Sequence, residues 1–283
     1  MKSCQVACYI ALLLLSLQSS RAGTLAQFRT IFGDIEMELY DQDKPVTVQN
    51  FMRYIQSGRY HDGFAHRLVP GFVVQGGGFT ITNRGTTNWT ILSVPTDPPI
   101  TNEFAVGRRF SNVYGTIAMA KSGGDTNSAS SQWFINLANN SFLDAADTNN
   151  LFVVFGHIVS GTNVLNVFSN FQYWTGAQSS NLVLHQYYQP PFGDLPLLYP
   201  SIVDSNIVFV DVTLLQVAVN PVAGGGKEIS WNSAIGMTNV VEFTTNLPPV
   251  WNVLASTNGT GDRMGVIDNS SLQRRFYRVR VAY

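Results

Sequence analysis

Charge is scarce in this chain. Of its 283 residues only 12% are Asp, Glu, Lys or Arg, against ~25% in an ordinary globular protein. Lysine is nearly missing, with Lys2, Lys44, Lys121 and Lys227 the complete set. A formal net charge of -1 leaves no basic field, which excludes a dedicated nucleic-acid binder. Solubility falls instead to Asn, Thr, Ser, Gln and Gly, a polar-neutral surface that leans toward extracytoplasmic β proteins.

Cysteine is equally sparse: Cys4 and Cys8 are the only two. Both lie in an N-terminal segment that reads as an export signal. Lys2 supplies a positive start, Val6 to Leu17 is almost wholly apolar, and Ser20-Arg21-Ala22 offers small residues where a signal peptidase cuts. The apolar run falls short of the ~20 residues a membrane span needs, and no later stretch fills that length. We therefore expect cleavage after Ala22, a periplasmic or extracellular product and no stable membrane insertion. The mature chain then has no thiol, which excludes disulfide scaffolds, thiolate nucleophiles and cysteine zinc sites. The histidines are His61, His66, His157 and His185, with no H-E-x-x-H or H-x-H pair and no evident carboxylate cluster. No metal or cofactor is expected.

What is present is mostly β pattern. Ile35, Met37 and Leu39 alternate with polar neighbours after a Phe32-Gly33-Asp34 turn. One clear helix follows: Pro45 suits its first position, Val48, Phe51, Met52 and Ile55 share a face, and Gly58 closes it. Short strands are expected at 72–75, 116–120, 133–136 and 152–157, with Thr162 capping a short helix that carries Val164, Leu165 and Phe168. The stretch 173–205 reads as a long loop, and 206–219 as a final strand. Asn220 to Gly226 reads as a linker. Beyond it, five short β runs suggest a compact sandwich of about sixty residues.

The run from His66 to Phe79, HRLVPGFVVQGGGF, carries the chemistry. A Pro-Gly turn between two apolar strands places Arg67 and Gln75 on neighbouring strands, flanked by Phe72. Taken singly, Arg67 is more often a surface ion pair and Phe72 more often core. The three glycines lack the Gly-Lys-Ser/Thr ending and the following helix of a phosphate cradle.

With these residues the sequence resembles a cyclophilin, a peptidyl-prolyl cis–trans isomerase. Three further blocks agree in order and spacing: NFMRYIQSGRYHDGFAHR, GTIAMAKSGGDTNSASSQWFINLANNSFLD and FVVFGHIVSG. The similarity runs from about Leu25 to Val219, and PPITNEF and SASSQWFIN are closest to exported bacterial members. The resemblance implies a mainly β protein: a closed eight-stranded antiparallel barrel with two capping helices, its site a groove on the outer surface. Arg67 matches the catalytic arginine, and Gln75 is expected to hold it in place. Phe72, Val73, Ala120, Lys121, Gln132, Phe134, Phe142, Leu143 and Phe152 match the substrate groove, with Phe134 on the floor of the proline pocket. The implied partner is a proline-containing polypeptide. His66 is expected to be structural and satisfied by backbone.

The chain also departs from that pattern. Phe142 stands where cyclosporin-sensitive members carry tryptophan, and Phe152 where a polar ring residue is usual. Insertions occupy 80–101 and 173–205. The organisation expected is 1–22 signal, 23–219 isomerase and 220–283 a small C-terminal β-sandwich. That last part resembles small β modules at the C-termini of exported bacterial proteins. Its Trp231, Trp251 and Tyr277 are read as core before a sugar platform, its arginines as a solvated face, and its candidate role as cell-surface or glycan contact. The alternative to an enzyme is a module that binds proline segments and catalyses little.

Overall fold

The computed structural model describes residues 24–145, 151–176, 182–185, 191–214, 217–233, 238–260, 263–270 and 274–282. The export signal expected over 1–22 lies outside them.

Alternation builds the first hairpin. Leu25–Thr30 (β1) and Gly33–Leu39 (β2) pair antiparallel, and Ile35, Met37 and Leu39 are buried. Helix α1 covers Pro45–Gln56, with Val48, Phe51 and Tyr54 buried. Its N-terminus has no local side-chain cap. Glu103 supplies one from a distance, accepting the Val46 and Thr47 N–H groups at 3.1 and 2.8 Å. Arg67–Val69 (β3), Val73–Gly76 (β4), Phe79–Thr82 (β5), Thr90–Ser93 (β6), Thr116–Met119 (β7), Trp133–Asn136 (β8) and Val154–Ser160 (β9) follow. Helix α2, Thr162–Ser169, buries Val164, Leu165 and Phe168. Its cap residue is Gly161 at φ +92°, not Thr162, because the turn needs a left-handed backbone there. The chain continues through Gln172–Tyr173 (β10), Val183–His185 (β11), Leu195–Leu197 (β12) and Val210–Leu214 (β13).

Eight of these strands form one curled sheet in the order β13-β1-β2-β9-β7-β8-β4-β3. It is a half-barrel around a core that includes Phe28, Met37, Phe51, Ile117, Trp133 and Phe155. A closed barrel is expected; the residues preceding β3 and β13 are linked by the Phe64–Phe209 bridge, Ala65 N–H to Val208 O at 3.0 Å and Val210 N–H to Gly63 O at 2.8 Å.

Among the described residues both insertions carry strands, including 173–205 where a loop is expected. The first is the β5–β6 hairpin, and the second carries the β10-β11-β12 sheet. Each alone is too small to bury its apolar face. Together they share a second core of Phe64, Ile81, Val183, Leu195, Leu197 and Phe209, with Phe79, Trp89, Phe192 and Trp174 against it.

The remaining strands are Ala218–Pro221 (β14), Lys227–Asn232 (β15), Thr238–Thr244 (β16), Asn252–Asn258 (β17), Arg263–Asp268 (β18) and Phe276–Ala282 (β19). They make two three-stranded sheets, β14-β15-β18 and β17-β16-β19. Ile229, Trp231, Val241 and Val279 are buried between them, and Leu25 of β1 packs on this cluster. The glycine-rich linker expected at 220–226 is instead the turn of the β14–β15 hairpin, closed by Val222 N–H to Gly226 O at 3.0 Å.

Candidate active site

Successive side chains of a strand point to opposite faces, and that alone sorts the motif. Val74, Ile117 and Ile135 enter the main core, while Val73, Ala118 and Phe134 form a separate cluster with Leu143 and Val154 on the outer face. Gln75 lies opposite Arg67 across β3–β4 and opposite Phe134 across β4–β8. The glycines that follow make room for Trp133. A Cβ on Gly76 would sit 2.5 Å from the indole Cζ2, and Gly77, at φ +77°, has its Cβ position 2.5 Å from Ser131 O.

Arg67, Phe72, Val73, Gln75, Ala120, Lys121, Phe134, Leu143 and Phe152 line one cavity of about 180 Å³. That is smaller than the ~300–1,000 Å³ of drug-sized sites and suits one ring-sized group. Phe134 and Leu143 are nearly buried at its base. Phe152 meets Phe134 edge-on at 5.6 Å. Phe142 is 58% exposed and stacks on the outer side of Phe72 at 5.8 Å, so it buttresses the wall. Gln132 also lies outside the lining, where its Oε1 accepts the Gln75 amide at 2.7 Å.

An asparagine ladder pins the two walls. Asn140 Nδ2 donates to Phe72 O and to Asn136 Oδ1, each at 2.8 Å. Asn136 Nδ2 reaches Asn112 Oδ1 at 3.1 Å, and Asn112 Nδ2 donates to Phe152 O at 3.1 Å and Asp144 Oδ1 at 2.7 Å. Buried and satisfied, such a network rigidifies what it touches. These asparagines are isolated polar residues and carry no periodic signal in the sequence.

Gln75 gives its amide to Gln132, and the carboxylate facing Arg67 is Asp194, with Nε to Oδ2 at 3.5 Å. Lys121 places Nζ 4.5 Å from the Phe152 ring centre, and burial pulls its ammonium below the usual lysine range, opposed by Asp125. His66 is buried, and its Nδ1 has no hydrogen-bond partner, so the backbone bond expected from sequence is not made at that nitrogen. Burial lowers its imidazole to about 4, against the raising effect of Gln132 and with Arg67 adding to the lowering. A neutral, buried imidazole is no acid or base for neutral-pH chemistry.

The sequence model described as cyclophilin type peptidyl-prolyl cis-trans isomerase/CLD matches residues 25–184, more than half of the chain. The chain belongs to the cyclophilin-type peptidyl-prolyl cis–trans isomerase family. It is 42% identical over 143 residues to peptidyl-prolyl cis-trans isomerase A of Dickeya dadantii, covering 50% of this chain and 70% of that one. The peptidyl-prolyl cis-trans isomerase of Acinetobacter baylyi is 36% identical over 149 residues, 53% of this chain and 73% of its own. A solved cyclophilin of Cryptosporidium parvum, crystallised in the presence of the dipeptide Ala-Pro, aligns with a TM-score of 0.46 and 19% identity. That alignment covers 67% of this chain and 98% of the other.

Two further groups of this cyclophilin fall outside the cavity lining. His61, Asp62 and Asp211 come within 4.8 Å of one another, a cluster the sequence hid by spreading it along the chain. Asp211 Oδ1 already accepts the Asp62 N–H at 2.7 Å, and the group is a brace between the α1–β3 connection and β13. In the C-terminal sheets Trp231 is buried and its Nε1 donates to Asn239 Oδ1 at 3.1 Å. The three aromatics therefore form no common sugar platform, and glycan contact has no support. Nor are the arginines all solvated: Arg275 pairs with Asp268 at 2.7 Å and Arg278 with Glu242 at 2.6 Å. Among the described residues no helix is long and apolar enough to cross a membrane.

Proposed function

We propose that this cyclophilin accelerates rotation about X–Pro bonds of exported or envelope polypeptides, with Arg67 donating to the prolyl nitrogen. The observation that carries this is the single cavity in which the Arg67 side chain stands beside an apolar floor of Val73, Phe134 and Leu143. Amide resonance sets a barrier of ~18–20 kcal/mol. At the twisted transition state that resonance is lost and the prolyl nitrogen regains a lone pair. A guanidinium stays charged at any working pH and can donate to that lone pair. The donation is stronger in the twisted state than in the planar one, which is the condition for lowering a barrier. The apolar floor holds the pyrrolidine ring while the rest of the peptide turns. No nucleophile is required.

Arg67→Ala tests this in a prolyl-tetrapeptide assay on the full chain. Loss of one such donor is expected to lower kcat by about a hundredfold with binding retained. Wild type that binds the peptide without accelerating rotation favours the binding-module alternative. Export is part of the same reading, supported by the N-terminal residue pattern, and N-terminal sequencing of the secreted chain should begin at Gly23. We also read the Phe64–Phe209 bridge as closing the barrel, and the strands from Ala218 onward as a separate small β domain. A fragment of residues 23–214 that keeps full turnover supports that division.

A further inference from the structure

We propose that Asp194, supplied by the second insertion, is a positioning residue that aims the Arg67 guanidinium at the peptide. This rests on the reading of Arg67 as the catalytic donor. Arg67 sits on β3, the last strand of the eight-stranded sheet. Its long side chain has many rotamers to lose, and the carboxylate that faces it is that of Asp194.

Asp194 is tied to that strand from outside. Its carbonyl accepts the Leu68 N–H at 2.9 Å, next to Arg67 in sequence. Its carboxylate then works at both ends. Oδ2 lies 3.5 Å from Arg67 Nε, and Oδ1 accepts the Tyr173 hydroxyl at 3.5 Å. Engaging Nε selects one orientation of the planar fork and leaves the two terminal amino groups for the peptide.

Asp194 is backed by packed aromatic and aliphatic side chains. Phe192 packs against Phe79 at 4.8 Å and Phe64 at 6.3 Å, and Leu195 and Leu197 are buried in the shared core of the two insertions. The insertions therefore act as a buttress that delivers one carboxylate to the far side of the arginine. A misplacement of a reacting group by about 1 Å costs up to about a hundredfold in rate, which sets the scale of the effect.

The test uses the full chain and compares Asp194→Asn, Asp194→Glu and Arg67→Ala with wild type. Asparagine keeps the backbone tie to Leu68 and the side-chain size, so the fold should survive, with thermal unfolding as the check. The expected result is a fall in kcat of about ten- to a hundredfold with KM within about twofold, and partial recovery in Asp194→Glu. In the Arg67→Ala background, Asp194→Asn should cause no further loss. If Arg67→Ala is impaired while Asp194→Asn keeps wild-type kcat, the positioning role is overturned and the arginine reading stands. A further loss in the double variant also overturns it, since Asp194 then acts elsewhere. If Arg67→Ala itself turns over normally, both fall.

Discussion

Lys121 holds its ammonium 4.5 Å from the centre of the Phe152 ring, at the mouth of the cavity whose floor is Phe134. The ring is gripped between a cation on one side and the edge of Phe134 on the other. A phenylalanine that lacks the hydrogen-bonding group usual at this position is thereby converted into a fixed apolar wall. Lys121→Met should loosen that wall while keeping its packing volume. We expect KM for prolyl peptides to rise about two- to fivefold, in line with roughly 0.5–1 kcal/mol for a cation–π contact, with kcat little changed. Phe152→Ala should raise KM further. Steady-state kinetics on both variants decide it, and an unchanged KM in Phe152→Ala would remove this residue from the substrate pocket.

Phe142 predicts weak cyclosporin binding. It is mostly exposed, stacked on Phe72, and offers no N–H donor. Titration calorimetry should give a dissociation constant well above that of tryptophan-bearing members, and Phe142→Trp should tighten it. Affinity in the wild type as high as in sensitive members sinks the prediction.

His66 predicts the acid limb of stability. Its buried imidazole titrates at about 4 rather than 6.5, so between those values the unfolded chain binds a proton that the native one refuses. The contribution is complete above about pH 6.5 and is lost as pH falls toward 4. A shift of this size is worth about 3 kcal/mol at roughly 1.4 kcal/mol per unit. Urea midpoints should fall across that window in wild type and fall less in His66→Gln. Equal slopes in the two proteins would show that other groups set the limb. Between pH 6 and 8 this imidazole should impose no inflection on turnover.

Glu103 predicts a large structural penalty. Only 4% exposed, its carboxylate takes two N–H groups of α1 and the Thr47 hydroxyl at 2.7 Å. Its carbonyl accepts from the buried Lys44 ammonium at 2.9 Å. Glu103→Ala should cost about 3 kcal/mol, because it orphans buried donors beside a buried cation. Glu103→Gln should cost less, since its amide oxygen still accepts. Urea denaturation measures both, and a loss under about 1 kcal/mol in the alanine variant contradicts this account of the cap.

Much of the site was legible beforehand because it is written in a period of two. Val73 and Gln75 fall on one face of their strand whatever else the chain does, while Phe134 is placed beside them by the family resemblance. The glycines of the motif were legible as special but not as to purpose, since only the folded chain brings Trp133 against them. Phe142 and Phe152 show the limit of residue type. Both are phenylalanines matched to the groove, yet one lines the cavity and the other props a wall from outside. Exposure was settled by the short 3₁₀ turn Ser141–Asp144, which has no pattern to read at its length.

The sequence by itself determined the strand alternation, the helical face of α1 and the turn that sets Arg67 opposite Gln75, because each follows from backbone geometry over a few residues. Tertiary structure decided what stands behind that arginine. Asp194 looks in the sequence like any solvated carboxylate among Pro, Tyr and Gln. It reaches Arg67 because two insertions, neither able to bury its own apolar face, pack on each other and on the edge of the sheet. The Asn220–Gly226 stretch was decided the same way: glycine permits both a linker and a tight turn, and the ladder between β14 and β15 chose the turn. Where the cause is local sterics, the chain announces it. Where the cause is which distant surfaces must be buried together, only the fold can say.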